Sequence, residues 1–451
     1  MFVLTRFNYI FIIFSSLLIS RIISNYFFNI SLDEKWINSL WQHIDIILLK
    51  ERFISSILFF HAQPPLWNII LGIGSKLDGL ISVSFYLSFF NFILTMVILY
   101  CSHQILKNLL FKKHHSLIIL FLLVICSPSI LFYEKFASYS HFTCVLLFLI
   151  KLNFLKIYKK YKIKYELYIY LFSTFAILTW SAYIIYFNLL IFFLLVPLII
   201  KQKRFNKSLL IFLIFFILGS LPSLKNKILF DIFANSSWTG LNASQSVGYD
   251  RKNWPLCSFN NDNIKEYNEV IKKSLKNKEY LNEAFLNDGN FNDLGYIFKS
   301  KSCNKKAKDY LISNFKEISK NKIQRFVSVH AHLSFDFAFK PKNWKKNFSF
   351  LEEINQNNIF KIIIFLFFIT NYIFYTFISS VALVKKKKSF AEYFLIINLF
   401  LYSYLIIVSF YGSTWEQERM RYSGYSFIFI SISILIKEIL SKINNQKLQK
   451  W

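Results

Sequence analysis

Apolar stretches of roughly 20 residues recur along the chain and alternate with short polar loops. An α-helix of about 20 residues is long enough to cross a bilayer. The pattern predicts an all-α integral membrane protein with about ten transmembrane helices. An apolar run of 36 residues between lysines is best explained by two crossings that turn near Trp180 and Ser181. The predicted spans lie at about 9–30, 81–106, 117–132, 137–155, 165–200 (two crossings), 209–221, 361–384, 393–411 and 422–440.

Charge distribution predicts which loops lie on which side of the membrane. One set of loops is short and rich in lysine, including 107–115, 156–164 and the run 385–388. The other set carries the acidic clusters. Since loops rich in Lys and Arg stay in the cytoplasm, the acidic set is predicted to lie outside, with both termini inside. The stretch 9–30 is long for a signal-peptide core, so we expect a retained first span.

The first outer loop, 31–80, has two parts. Residues 31–60 place Trp36, Trp41, Ile44 and Leu48 at helix-like spacing among charged residues, which predicts an amphipathic helix at the membrane surface. Pro64 and Pro65 then open an apolar run of about 12 residues. Such a run is short for a crossing, so we interpret it as interfacial or re-entrant.

The long loop after the seventh span predicts a separate helical domain on the outer face. Apolar residues recur at helical spacing within 264–287 and again within 305–329. The resulting division is an N-terminal transmembrane module at 1–223, an outer domain at 224–357 and C-terminal spans with a basic tail at 358–451. Cys257 and Cys303 both fall in the outer domain, where an oxidising compartment would allow them to pair; whether they do is left open.

The excess of basic residues does not indicate nucleic acid. The formal net charge is +28 and the pI is about 9.7. Much of the excess lies in short loops between spans, where it orients the protein and contacts anionic lipid. We therefore expect membrane lipid, and no nucleic acid, as a partner.

Candidate chemistry begins with Asp33 and Glu34, just after the first span. A carboxylate beside hydrocarbon is costly unless it faces water or a partner. Asp33 could act as a general base on an acceptor hydroxyl, or the pair could simply cap the following helix. His61 could bind substrate or be an ordinary interfacial histidine. His330, His332 and Asp336 have metal-ligand side chains, but this combination is common by chance in such a loop, so we assign no metal site and leave dependence on a divalent ion open.

Several of these motifs together resemble a known family. An acidic pair after the first span, followed by an amphipathic stretch and then His-x-x-Pro-Pro-Leu from His61, looks like the GT-C superfamily of membrane glycosyltransferases. The resemblance is closer to the branch of protein O-mannosyltransferases and the aminoarabinose transferase of lipid A. It implies that Asp33 is the catalytic aspartate and Glu34 the acid that commonly follows it.

Further short motifs extend the resemblance across the chain. A Pro…Glu segment ends at Glu134-Lys135, a Ser-Ser-Trp-x-Gly-x-Asn stretch contains Trp238, and a Glu-x-x-Arg-Tyr motif precedes the last span. The arginine that the family usually carries in its fifth or sixth span is not evident near Trp180, which leaves the phosphate ligand open among Lys50, Lys225 and other basic residues. The substrate-binding residues that we expect are His61, Gln63, Arg52, Glu134, Lys135, Trp238, Glu416, Glu418, Arg419 and Arg421.

The resemblance implies transfer of a sugar from a polyprenyl-phosphate carrier to a glycan, lipid or protein acceptor. The enzyme would lie in a bacterial inner membrane with its site facing the periplasm or exterior. One alternative is an O-antigen ligase or polymerase, which would depend on Arg325, His330 or His332. Another is a transporter of lipid-linked sugars, which we rank third because the predicted spans contain few charges.

Overall fold

A computed structural model describes most of the chain. The described residues are 6–40, 42–109, 111–240, 242, 295–330, 340–384, 390–411 and 414–448. They form helices and connecting loops, and no strand occurs among them. The predicted all-α class is therefore confirmed for this part of the protein.

The helices are labelled here in chain order. The N-terminal set is α1 Arg6–Tyr26, α2 Lys35–Ser39, α3 Ile46–Glu51, α4 Phe53–Phe59, α5 Leu66–Lys76, α6 Val83–Asn108, α7 Lys113–Leu120, α8 Pro128–Glu134, α9 Ser140–Lys159, α10 Ile163–Thr179, α11 Tyr186–Lys201 and α12 Phe205–Phe230. The later set is α13 Gly295–Ser313, α14 Phe315–His330, α15 Trp344–Asn347, α16 Ser349–Gln356, α17 Asn358–Val384, α18 Phe390–Tyr411, α19 Thr414–Ser423 and α20 Tyr425–Leu448.

Three described helices, α6, α9 and α12, are long and apolar enough to cross a membrane. A fourth candidate is a broken pair, in which Lys113–Ile125 and Pro128–Glu134 meet at 49°. The break has local causes, because Phe121–Ile125 forms a π-helical turn and Ser127 caps α8 with Pro128 in its first turn. These candidate spans are compatible with the predicted membrane protein.

Helix α9 is the central element of the bundle. In its most apolar window 83% of the residues are buried, against 39% for α6 and 33% for α12. It packs against α6, α10, α18, α19 and α20. Because α9 begins at Ser140, the loop that enters it is held at the centre of one end of the bundle.

The first loop differs from the single amphipathic helix that its spacing predicts. Residues 31–60 form three short helices, α2 to α4. Asp45 ends the intervening loop and caps α3, since its carboxylate accepts the N–H of Ile47 at 2.6 Å. Ile37, Leu40 and Ile44 are buried, so the apolar face of this segment packs against protein.

The apolar run after Pro64 and Pro65 forms the short helix α5, whose length agrees with the predicted interfacial or re-entrant segment. The predicted break near Trp180 is confirmed as well. Helix α10 ends at Thr179 and α11 begins at Tyr186, on either side of a tight turn.

Within the predicted outer domain, 224–357, the structure describes residues 224–240, 242, 295–330 and 340–357. The predicted helix at 305–329 is longer and broken, because α13 and α14 meet at Asn314. Ala307 and Ile318 form a small core between them. Cys303 is disulfide-bonded, whereas Cys257 and the predicted helix at 264–287 lie outside the described residues. The domain boundaries stay predictions.

Candidate functional site

Six segments that are distant in sequence meet at one end of the bundle, which we call the loop end. It consists of the described residues of 28–66, together with 134–141, 180–185, 231–240, 340–348 and 419–422. All of these segments except 340–348 contain or adjoin residues singled out in the sequence. Their contacts can therefore be followed residue by residue.

The His61 motif packs on the Ser-Ser-Trp motif. The Nδ1 atom of His61 shares a hydrogen bond of 2.8 Å with the hydroxyl of Ser237, and the Ser237 N–H donates to the His61 carbonyl at 2.8 Å. Ser236 donates its hydroxyl hydrogen to the carbonyl of Ala62. His61 is 1% exposed and Trp238 7%. Both side chains are therefore buried inside the loop end.

Two further contacts hold the same motif. Gln63 accepts the backbone N–H of Ser181 at 3.3 Å, which ties the motif to the turn between α10 and α11. Lys225, near the end of α12, donates to the carbonyl of Phe60. The two prolines restrict the backbone between these contacts, because each fixes its own φ. The motif is thus immobilised by three different elements.

Arg419 lies at the centre of the loop end. Its Nη1 donates to Gln42 Oε1 at 2.7 Å and to Tyr139 Oη at 3.3 Å. Its guanidinium lies over the rings of Tyr139 and Trp180, at 5.4 and 5.5 Å from their centroids. Stacking on aromatic rings suits a planar cation that has lost its water. Arg419 is 0% exposed, so direct contact with a substrate requires displacement of Gln42 or of an aromatic ring.

His43 lies beside Arg419 in a second buried group. Its Nδ1–H donates to the carbonyl of Ile37 at 2.8 Å, and its Nε2 accepts the indole N–H of Trp67 at 3.0 Å. Both ring nitrogens are used by the neutral form. Burial is the main reason that the pKa of His43 falls to about 4, and the positive charge of Arg419 lowers the pKa further. His43 is therefore neutral at physiological pH.

Asp33 is a partly exposed carboxylate at the start of the first loop. It is 20% exposed and forms an ion pair of 3.0 Å with Lys35, which is 62% exposed. Its Oδ1 also accepts the Lys35 N–H at 3.3 Å. Glu34 is exposed and occupies the position before α2 without a side-chain capping bond. The Asp33 carboxylate therefore makes one long hydrogen bond to the start of α2, and the Glu34 side chain does not cap this helix.

Neighbouring backbone contacts hold Asp33 in place. Lys342 donates its N–H to the Ser31 carbonyl at 3.0 Å, and Trp36 donates its indole N–H to the Lys340 carbonyl at 3.1 Å. Trp344 is buried and packs edge-to-face on Phe132, with ring centroids 5.0 Å apart. The return segment 340–348 therefore clamps the first loop on both sides of Asp33.

Glu134 and Lys135 are buried rather than available at the surface. Glu134 pairs with Arg21 of α1 at 2.8 Å and with Lys135 at 3.5 Å. Thr95 donates to Glu134 at 2.7 Å, and a chain of hydrogen bonds continues through His141 to Tyr422 at 3.0 and 2.6 Å. Such a network fixes the relative positions of five helices, α1, α6, α8, α9 and α19.

Arg21, Thr95 and His141 were not singled out in the sequence, and Tyr422 was named there only as the last residue of the Glu-x-x-Arg-Tyr motif. A signal was present for the first of them, because Arg21 is a cation inside a predicted apolar span. Thr95, His141 and Tyr422 have common residue types for their positions, and only folding brings them to Glu134. His43 and Gln42 were missed for the same reason.

The remaining predicted residues are placed only in part. Arg421 is 9% exposed, and Arg52 is exposed at the junction of α3 and α4. Glu416 and Glu418 lie on α19 and Arg325 on α14, but their side chains lie outside the described part. The same applies to the side chain of His330 and to His332 and Asp336. No group of three metal-ligating side chains occurs among the described residues.

The chain was compared with known proteins. No protein-family model and no curated protein matches it. The resemblance to GT-C transferases therefore rests on the short motifs themselves. What the structure adds is the position of those motifs relative to one another.

Proposed function

We propose that this protein is a membrane glycosyltransferase of the GT-C type, which moves a sugar from a polyprenyl-phosphate carrier to an acceptor. The observation that carries the proposal is the convergence of the motifs at the loop end. The His61 motif contacts Ser237 and Ser181, and Arg419 contacts Gln42 and Tyr139. These contacts bring side chains from motifs far apart in the sequence into direct contact.

The proposed membrane arrangement has about ten spans, with the loop end facing the periplasm or exterior. Beyond the long candidates, shorter apolar helices occur at 11–26, 186–201, 396–408 and 425–437. Large apolar side chains on their surfaces are exposed, including Phe11, Phe193 and Ile407. Exposed apolar surface on a helix is favourable when lipid covers it. This supports insertion of the shorter helices as well.

In the proposed mechanism Asp33 accepts the proton of the acceptor hydroxyl as the oxygen attacks the anomeric carbon. The bond from that carbon to the carrier phosphate breaks, and the phosphate leaves with the bonding electrons. Inversion at the anomeric carbon follows from attack on the face opposite the phosphate. Glu34 lies next to Asp33 in the chain and is exposed.

Arg419 is proposed to meet the leaving phosphate after Gln42 is displaced. In the structure the neutral side-chain oxygen of Gln42 accepts a hydrogen bond from Nη1 of Arg419. A phosphate oxygen makes a stronger, charge-assisted hydrogen bond with the same donor. His61 and Gln63 hold the surface on which the donor sugar would lie, and the buried Trp238 follows Ser237, which is hydrogen-bonded to His61.

The test is sugar transfer from polyprenyl-phosphate donors by the purified chain in liposomes, with wild type beside Asp33→Asn. Loss of a general base reduces a rate by about 10²–10⁴-fold. We expect a loss in this range with unchanged thermal stability. The same change at Asp231 is a matched control, because Asp231 is exposed, forms an ion pair with Lys227 four residues earlier and has a left-handed backbone that asparagine tolerates.

Wild-type turnover in Asp33→Asn would contradict the assignment of the base and would move the chemistry to the outer domain. In that case Arg325, His330 and His332 become the residues to change, as an O-antigen ligase would require. Equal loss in the Asp231 control would show a general defect and would also contradict the specific role of Asp33.

A transporter of lipid-linked sugars is the second candidate, and one observation favours it. Lys151 lies within α9, is 1% exposed and donates to Ser426 at 2.7 Å. Ionisable residues inside a span commonly line substrate pathways. A transporter would move labelled lipid-linked sugar across the liposome membrane without breaking the sugar–phosphate bond, and Asp33→Asn would not abolish that movement.

A further inference from the structure

An open cavity of about 650 Å³ lies between the first loop and the C-terminal end of α5. Its lining combines ionisable, hydroxyl and apolar side chains, with Arg52 from the junction of α3 and α4 and Lys76 from the end of α5. Helices α3 and α5 pack on each other, so the two cations are held by a fixed pair of elements. The polar lining residues are Glu51, Arg52, Ser55 and Lys76.

The charges at this cavity favour a ligand with one negative charge. The guanidinium of Arg52 has no hydrogen-bond or ion-pair partner among the described residues. Lys76 donates to the carbonyl of Lys50, which leaves two of the three ammonium hydrogens available. Lys50 is neutralised by Asp78 at 2.9 Å. With Glu51 also present, the lining carries two positive charges and one negative charge.

The surroundings of the cavity are apolar and exposed. Ile54 is 81% exposed and Leu58 46%, and both line the cavity. Leu80, in the segment that leads into α6, is 86% exposed. A cluster of large exposed apolar side chains indicates contact with a membrane or another apolar surface. A polar cavity beside such a surface has the two parts that a lipid requires.

We propose that this cavity binds the headgroup of an anionic membrane phospholipid, with its phosphodiester on Arg52 and Lys76 and its acyl chains along Ile54 and Leu58. Arg52 presents a planar set of donors that matches two phosphate oxygens, and Lys76 adds a point charge. The single negative charge of a phosphodiester balances the single net positive charge of the lining. This assignment goes beyond the transferase proposal and does not depend on it.

The experiment is native mass spectrometry of the full chain, purified in detergent and exposed to an equimolar mixture of phosphatidylglycerol and phosphatidylcholine. We expect wild type to retain phosphatidylglycerol preferentially. The double variant Arg52→Gln/Lys76→Gln should retain about tenfold less, because it loses both charge-assisted contacts. Ile54→Gln keeps both charges and should also reduce retention, because it removes apolar contact with the chains.

A matched control removes two charges elsewhere. Lys201→Gln/Lys207→Gln lowers the net charge equally, at two exposed positions where α11 ends and α12 begins, and should retain phosphatidylglycerol as wild type does. Equal loss in this control would show attraction by overall charge and would overturn the site. Wild-type retention in the Arg52/Lys76 variant would overturn it as well.

Inorganic phosphate separates a lipid site from a site for free phosphate. Displacement of phosphatidylglycerol by millimolar phosphate would overturn the lipid assignment, whereas retention would support it. Asp33→Asn should keep wild-type lipid retention. Sugar transfer by this variant tests the transferase proposal, and its lipid retention tests the lipid site. The two proposals can therefore fail separately.

Discussion

At the scale of single residues, His43 shows how burial converts a histidine into a neutral hydrogen-bonding group. Its ring joins Ile37 to Trp67, and Arg419 is the nearby cation. The neutral ring uses one nitrogen to donate and the other to accept. Protonation would place the new Nε2–H donor of His43 against the Trp67 N–H donor and add a second positive charge beside Arg419. The native fold therefore resists protonation of this residue.

His43 predicts a loss of stability in mild acid. Its pKa is about 4 in the folded protein and about 6.5 when unfolded. Above pH 6.5 the ring is neutral in both states. As the pH falls from 6.5 towards 4, the unfolded chain binds a proton that the native state excludes, which costs about 3 kcal/mol in total. The midpoint of thermal unfolding in detergent should fall over this range.

The matched comparison is His43→Gln, which cannot be protonated. Its unfolding midpoint at pH 7 should be lower than that of wild type, because the amide fits the two partners less well. The decrease between pH 7 and pH 5 should be smaller than in wild type. An equal decrease in both proteins would assign the acid sensitivity to other groups.

At the scale of elements, Gly240 joins the Ser-Ser-Trp segment to α13. A Cβ on this residue would lie 1.8 Å from the backbone oxygen of Ser300. The Gly240 N–H donates to the Ser300 hydroxyl at 2.8 Å. The close approach of two backbones requires glycine here.

Gly240→Ala should therefore separate α13 from the loop end. Backbone cannot move aside as a flexible side chain can, so we expect a loss of about 1–3 kcal/mol and faster limited proteolysis between residues 240 and 295. Thr239→Ser is the neighbouring control, since it keeps the hydroxyl that bonds Ser236 and adds no atom. Unchanged proteolysis in Gly240→Ala would contradict this account of the junction.

At the scale of the whole molecule, the Glu134 network joins α1, α6, α8, α9 and α19. Arg21 is 4% exposed in its side chain and Glu134 0%. Removal of Arg21 leaves the buried Glu134 with its longer ion pair to Lys135, and removal of Glu134 leaves both buried cations without this carboxylate. Arg21→Met or Glu134→Gln alone should therefore destabilise the protein by about 3–5 kcal/mol.

The double variant Arg21→Met/Glu134→Gln distinguishes an ion pair from two independent packing effects. Its loss of stability should be smaller than the sum of the two single losses, because no carboxylate is left opposite a missing guanidinium. Additive losses in thermal unfolding would show that the two side chains act separately.

The sequence determined the features that depend on local pattern. Apolar run length predicted the all-α class, and the polar turn near Trp180 predicted the break between α10 and α11. Helical spacing predicted α14, although it did not show the break at Asn314. Motif residues were found because their types and spacing are unusual within an apolar chain.

Tertiary structure decided which side chains meet, since such contacts depend on the path of the chain and not on local spacing. It broke residues 31–60 into three helices, because Asp45 caps α3 and Ile37 and Ile44 are buried against protein. It also buried Arg419 between Tyr139 and Trp180, and Glu134 beside Arg21, across more than 100 residues of sequence in each case. Desolvation and pairing of charges arise only in the assembled bundle, so the sequence could name the candidate residues but not their partners.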